Sequence, residues 1–150
     1  MIKQMTINFR RSHRLLDSAR ALTIPKRSKS SKVAVVLGGN GVYDGSEIQE
    51  VAALLFSVSR SGYEVQCFAP DKPHHHVMDH TKGEEMNESR NVLIESSRLC
   101  RGDIKALSQL PSSVDEYDCL MLPGGFGVAK NLCNHATEAQ GNASKLYIEP

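Results

Sequence analysis

The sequence predicts one α/β domain built on a parallel sheet, and three observations carry that expectation. Val33 to Leu37 is an apolar, β-branched-rich run that breaks at Gly38, Gly39 and Gly41 before a helix start. Asp118 to Leu122 is a second strand-like run, broken by Pro123, Gly124 and Gly125, and a helix-rich excursion separates the two. A strand with no polar residue suits burial on both faces, as in parallel sheets. Strands that end in glycine turns and alternate with helices are what such sheets are made of.

The elements follow in order. Ser46 with Gln49 three residues on reads as a capping box, and Ile48, Val51, Ala52 and Leu55 recur on one helical face. Ser61-Gly62 stops this helix. Glu64 to Ala69 reads as a second strand closed by Pro70-Asp71. A polar loop over 71–87 carries His74, His75, His76, Asp79 and His80. Neutral imidazole is a common metal ligand, but adjacent residues do not easily converge on one ion, and a solvated loop is the simpler reading. Asn87 is the expected cap of the next helix, which places Val92, Leu93, Ser96, Leu99 and Cys100 on one face and ends at Gly102. Ile104 to Leu107 is a short strand or connection, and Pro111-Ser112-Ser113 a turn.

A chain of 150 residues buries the core of one domain but is small for a sheet with helices on both faces. Its net charge of +1 hides an asymmetry: residues 1–32 hold nine Lys or Arg against Asp17 alone, and the remainder holds nine basic against sixteen acidic residues. The acidic body excludes the basic face that nucleic acid requires. No segment is long and apolar enough for a membrane-spanning helix. Residues 1–31 read as an amphipathic, acid-poor mitochondrial transit peptide or a disordered basic arm. The domain proper occupies 32–134, and 135–150 form a divergent tail whose apolar cluster is Leu146-Tyr147-Ile148. Three strands make a narrow sheet, so an open edge predicts self-association or a partner.

In open α/β sheets ligands bind beyond the carboxyl ends of the strands, where both glycine turns sit. Glu47 lies in the first turn of a capped helix, where the dipole favours a carboxylate; pointed at the crevice, it would share the proton of a nucleophile. Gly124 and Gly125 offer backbone N–H groups to an oxyanion, or merely a positive φ before a helix. The four cysteines form no C-x-x-C pair, which leaves reduced thiols and no zinc site. Cys67 and Cys119 in strands and Cys100 on an apolar helix face read as inert; Cys133 is the thiol that follows the second glycine turn. A competing reading, Gly39-x-Gly41-x-x-x-Gly45 as a dinucleotide cradle, meets Asp44, whose carboxylate repels phosphate.

Four stretches carry a resemblance: Gly41-Val42-Tyr43-Asp44-Gly45-Ser46-Glu47-Ile48, Cys67-Phe68-Ala69-Pro70-Asp71, Glu88-Ser89-Arg90-Asn91-Val92-Leu93-Ile94-Glu95 and Pro123-Gly124-Gly125-Phe126-Gly127-Val128-Ala129-Lys130-Asn131-Leu132. In this order they resemble the mitochondrial ES-one and bacterial ElbB-type glyoxalase family of the class I glutamine amidotransferase-like (DJ-one/PfpI) superfamily. The resemblance implies a flavodoxin-like sandwich with a cysteine at a nucleophile elbow. Glu47 matches its supporting glutamate, and Gly125, beside Gly124, its oxyanion glycine. It also implies a glyoxalase that takes a small dicarbonyl metabolite to a hydroxy acid, without a metal or other cofactor, in the mitochondrial matrix. Relatives carry Cys where this chain has Asn40. The family's elbow cysteine lies well beyond the Pro-Gly-Gly turn and has no counterpart here, so the chain is expected to hold only the N-terminal part of the fold, with impaired catalysis. A non-catalytic binding or assembly role is the alternative.

Overall fold

The computed structural model describes residues 31–134 and 136. The expected targeting segment, apart from Ser31, and the divergent tail, apart from Ala136, lie outside the described residues. In chain order the elements are β1 (Lys32–Val36), α1 (Ile48–Arg60), β2 (Glu64–Ala69), the short strands β3 (Met78–Asp79) and β4 (Glu84–Glu85), α2 (Val92–Ser97), β5 (Ile104–Ala106) and β6 (Cys119–Met121). β3 and β4 pair with each other, antiparallel. The other four strands form one parallel sheet in the order β5-β2-β1-β6.

The chain therefore winds outward from β1 to β5 and returns to the far side of β1 as β6. Strand order reverses between β1 and β6, and a doubly wound sheet opens its crevice at that switch point. Both glycine turns leave the sheet there.

β1 is buried on both sides. Val33 and Val35, with Leu37 just beyond the strand, join Val51 and Val58 of α1, Val92 of α2, and Cys67 and Ala69 of β2. Ala34 and Val36 face the other way, onto Phe68, Leu107, Leu110 and Leu132. Each Val, Leu or Phe side chain so withdrawn from water contributes about 1.5–3 kcal/mol before entropy is counted. Both α-helices lie on the first face. The second is covered by short helical pieces, 3₁₀ segments at Leu107–Gln109 and Pro111–Glu116 and a π-helical turn at Val128–Leu132. The segments after β5 are too short, and too interrupted by Pro111, for an α-helix to close over it.

Three local expectations are corrected. The N-cap of α1 is Glu47, whose Oε2 accepts from the Glu50 N–H at 2.7 Å; the Ser46 hydroxyl turns inward instead. The helix consequently buries Val51 and Val58, a spacing of two turns, and leaves Ile48 and Ala52 exposed. Asn91, not Asn87, caps α2, its side chain accepting from Ile94 N–H at 3.0 Å. The backbone at 90–92 is tied to Lys72 and His74 across the loop, which delays the helix start. Cys119 is exposed rather than buried, because β6 is an edge strand among the described residues.

At β6 the Asp118 N–H donates to Lys32 C=O at 2.8 Å. Backbone groups alternate along a strand, so those of Leu120 face β1 and those of Cys119 and Met121 face away from the sheet. Leu120 is 49% exposed.

Candidate active site

The first glycine turn is held by its own N–H groups. Gly38 donates to the Ser46 hydroxyl and Gly39 to the Ser96 hydroxyl, each at 2.9 Å, both contacts buried. Gly41 donates to Ser46 C=O at 3.0 Å and Gly45 to Gly41 C=O at 2.6 Å. A dinucleotide cradle needs such donors unengaged to meet phosphate oxygens. The four glycines have spent theirs internally, and the carboxylate of Asp44, 5% exposed, accepts from Met78 N–H at 2.7 Å. The turn is built as a packed scaffold rather than a phosphate loop.

Asn131 locks it from below. It is fully buried, donates to both Gly38 C=O and Asp44 C=O at 2.8 Å, and accepts from His75 N–H at 3.0 Å. One amide thereby joins the first turn, the histidine loop and the π-helical turn after β6.

The second turn presses onto the first. Glu47 N–H donates to Gly124 C=O at 2.8 Å and Gly127 N–H to Gly45 C=O at 2.9 Å. Gly125 has φ +107°, and a Cβ there would meet Gly45 O and, at 2.6 Å, Glu47 N. Only glycine lets the two backbones approach this closely. Of the two candidate oxyanion glycines, Gly124 gives its N–H to Glu50 Oε2 at 2.6 Å. Among the described residues the Gly125 N–H has no acceptor. Glu47 is half-buried beside it; its Oε2 serves as the helix cap, and its Oε1 makes no hydrogen bond among the described residues. Sequence reasoning named Glu47, Gly124 and Gly125, and the structure brings all three together. Glu50, Asn131 and Ser96 it passed over; one turn after Glu47, Glu50 was the most legible of the three.

The histidine loop folds over this scaffold. His74 Nδ1 lies 3.1 Å from Asp44 C=O, so that nitrogen carries the proton, and its Nε2 is buried without a hydrogen-bond partner among the described residues. Burial lowers the pKa of His74, outweighing the pull of Asp44. His80 accepts from Tyr43 N–H at 3.2 Å and stacks on the Tyr43 ring at 4.8 Å. Among the described residues no three His, Cys, Asp or Glu side chains gather to hold a metal ion. The Cys133 thiol donates to Val128 C=O at 3.4 Å, back into its own turn.

No family model matches the chain. ES1 protein homolog, mitochondrial, of Rattus norvegicus is 49% identical over 129 residues, covering 85% of this chain and 48% of the relative. Glutamine amidotransferase-like class 1 domain-containing protein 3, mitochondrial, of Homo sapiens is 51% identical over 120 residues, 79% of this chain and 43% of the relative. ES1 protein, mitochondrial, of Danio rerio is 34% identical over 116 residues, 74% and 42%. The crystal structure of an isoprenoid biosynthesis protein with amidotransferase-like domain from Ehrlichia chaffeensis matches with TM-score 0.67 and 43% identity, covering 70% of this chain and 48% of that one. The chain thus spans about half the length of the curated relatives it matches. With half its residues shared with the human relative over four-fifths of its length, and a sheet that matches an amidotransferase-like domain, the chain is similar to the ES1 proteins in sequence and has an amidotransferase-like fold.

Proposed function

We propose that this chain contributes the glutamate and backbone-donor half of a mitochondrial, cysteine-dependent glyoxalase site, of the kind found in the DJ-one/PfpI superfamily. The observation that supports the reading is the close approach of the Glu47 and Gly125 backbones at the switch point of the sheet, with Glu47 Oε1 and the Gly125 N–H both without a hydrogen bond among the described residues. A carboxylate there shares the proton of a thiol, and the N–H meets the oxygen that turns anionic when the thiolate adds to an aldehyde. The net reaction adds one water to methylglyoxal to give lactate, with hydrogen moving from the aldehyde carbon to its neighbour. The family resemblance assigns the thiol to a strand beyond the Pro-Gly-Gly turn. Mitochondrial residence follows the names of the relatives, and the basic, acid-poor residues 1–31 suit matrix import. The test is lactate formation from methylglyoxal by the protein as recovered from mitochondria. Turnover that Glu47→Gln reduces by about 100-fold or more is expected of a lost proton-sharing group. No turnover by the intact protein rejects the reading.

A second reading, assembly without catalysis, is favoured by the outer edge of β6. Pairing there with a second copy, antiparallel and centred on Leu120, sets two leucines at a close, non-hydrogen-bonded position. It also aligns the outward groups of Cys119 with those of Met121. Sedimentation separates the readings: a concentration-dependent dimer supports assembly, and a monodisperse monomer removes it.

A further inference from the structure

The junction between the two glycine turns carries opposite charges at its two ends. At the Gly124 end stand two carboxylates, Glu47 as the cap of α1 and Glu50 on the Gly124 N–H. At the other end the Phe126 N–H donates to Val42 C=O at 2.8 Å, and the Lys130 ammonium donates to Tyr43 C=O, also at 2.8 Å. Gly125 connects the two ends.

Lys130 lies one helical turn beyond Phe126, with its Nζ 5.9 Å from the centre of the Phe126 ring, within cation–π reach. It is half-buried, and an ammonium has three N–H groups, of which the Tyr43 carbonyl takes one. Although the body of the chain is acidic, Lys130 forms no ion pair among the described residues. The Phe126 and Tyr43 side chains beside it are exposed, Tyr43 stacked on His80. His75, whose N–H donates to Asn131 next to Lys130, has its pKa lowered by burial and then by the charges of His76, Lys130 and Lys72, so the field on this side is positive. A half-buried, unpaired ammonium between two aromatic rings suits a carboxylate, because the bond is charge-assisted and the rings limit its hydration.

We infer that Lys130, flanked by Tyr43 and Phe126, is a carboxylate-binding subsite at the rim of the crevice, and that the dicarbonyl the site takes carries an acid group at the end away from its aldehyde. The chemistry rests on the glyoxalase reading above; the binding does not. Glu47 and Glu50 repel an acid from their end of the junction, so the substrate lies with its uncharged carbonyls toward Glu47 and Gly125 and its carboxylate on Lys130. The reaction remains the addition of one water, and the hydrogen of the aldehyde carbon moves to its neighbour. The product is an α-hydroxy diacid.

The test uses levulinate, which has the ketone and the distal acid but no aldehyde to react, and levulinamide, its uncharged match. Each is titrated into the isotope-labelled full chain and followed by NMR. The acid should give saturable shifts at the Tyr43, Phe126 and Lys130 amides that weaken with salt, and the amide should give none. Lys130→Arg should keep these shifts and Lys130→Met lose them. In turnover, Lys130→Met should lower kcat/KM for dioxovalerate, in which the levulinate methyl is an aldehyde, by about tenfold relative to methylglyoxal, through KM. Equal shifts from acid and amide, shifts that survive Lys130→Met, or no saturable shift up to about 20 mM acid overturn the subsite and leave the glyoxalase reading standing. The comparison of acid with amide uses the parent chain and so decides even where Lys130→Met does not fold. Absence of turnover with either dicarbonyl rejects the glyoxalase reading instead, and the titration then decides the subsite alone.

Discussion

Glu50 and Gly124, 74 positions apart in the chain, meet through a 2.6 Å hydrogen bond from the Gly124 N–H to Glu50 Oε2. This contact fixes the angle at which the second glycine turn meets the start of α1. Among the described residues it leaves Gly125, and not Gly124, with an N–H to offer. Glu50 therefore acts as a positioning residue for the candidate site.

Glu50→Ala is expected to lower stability by about 1 kcal/mol, the low end for a hydrogen bond to a charged group because the carboxylate is exposed. Glu50→Gln should retain part of it. Urea unfolding measures both; an unchanged Glu50→Ala midpoint would mean the contact holds nothing in solution.

The two turns should not tolerate a side chain between them. Gly125→Ala combines a positive φ with a Cβ placed on Gly45 O and Glu47 N. A loss of about 3 kcal/mol or more is expected, from strain plus overpacking against backbone that has no room to retreat. Gly83→Ala is the control: its φ of +73° is equally left-handed, but nothing lies within 4 Å of the added Cβ. It should lose only about 1 kcal/mol. Equal losses at the two positions would assign the whole effect to φ and none to packing.

Asn131→Leu removes three hydrogen bonds at once, two of them buried, and takes their partner from the Gly38 carbonyl and the His75 N–H, while the Asp44 carbonyl keeps only His74. A cost of about 3 kcal/mol is expected, since unpaired buried groups lose their hydration as well as their bond. Hydrogen exchange at His75 should accelerate with it. Slow exchange at His75 in a folded Asn131→Leu protein would count against this role.

Burial holds His74 below its ordinary value of 6.5, which the unfolded chain regains. As pH falls through that value, the unfolded state takes up a proton that the folded state refuses. The stabilising contribution is thus complete above 6.5 and is lost as pH drops toward the folded pKa. The urea midpoint should decline between about pH 7 and pH 5, and His74→Phe should flatten that slope. His75 is lowered in the same direction but is largely exposed and contributes less. Parallel profiles for parent and His74→Phe would exclude His74 as the source.

Assembly through β6 makes its own prediction. Leu120→Lys should abolish any dimer, while Leu120→Cys should cross-link two copies on oxidation, because a non-hydrogen-bonded pair brings its Cα atoms to about 4.5 Å, within disulfide range. A Cys119–Cys119 cross-link in the parent chain would instead signal a different register.

The sequence by itself determined β1, β2 and β6, the two glycine turns and their place at the strand ends, but not the short β3–β4 pair within the loop it predicted over 71–87. Val33 to Leu37 and Glu64 to Ala69 announce themselves by composition, and Gly38 to Gly41 and Pro123 to Gly125 by turn chemistry, all of which act between near neighbours. Glu47 was legible as a carboxylate at a helix start, but not as its cap. Only the tertiary structure decided that Asn131 reaches Gly38 across 93 positions and that Glu50 claims Gly124. It also decided that Cys119 is exposed, because an edge strand looks like a buried one until its neighbours are known. Propensity and periodicity are set within a few residues, whereas these contacts depend on which strands lie side by side. That order is set by how the whole sheet buries its two faces.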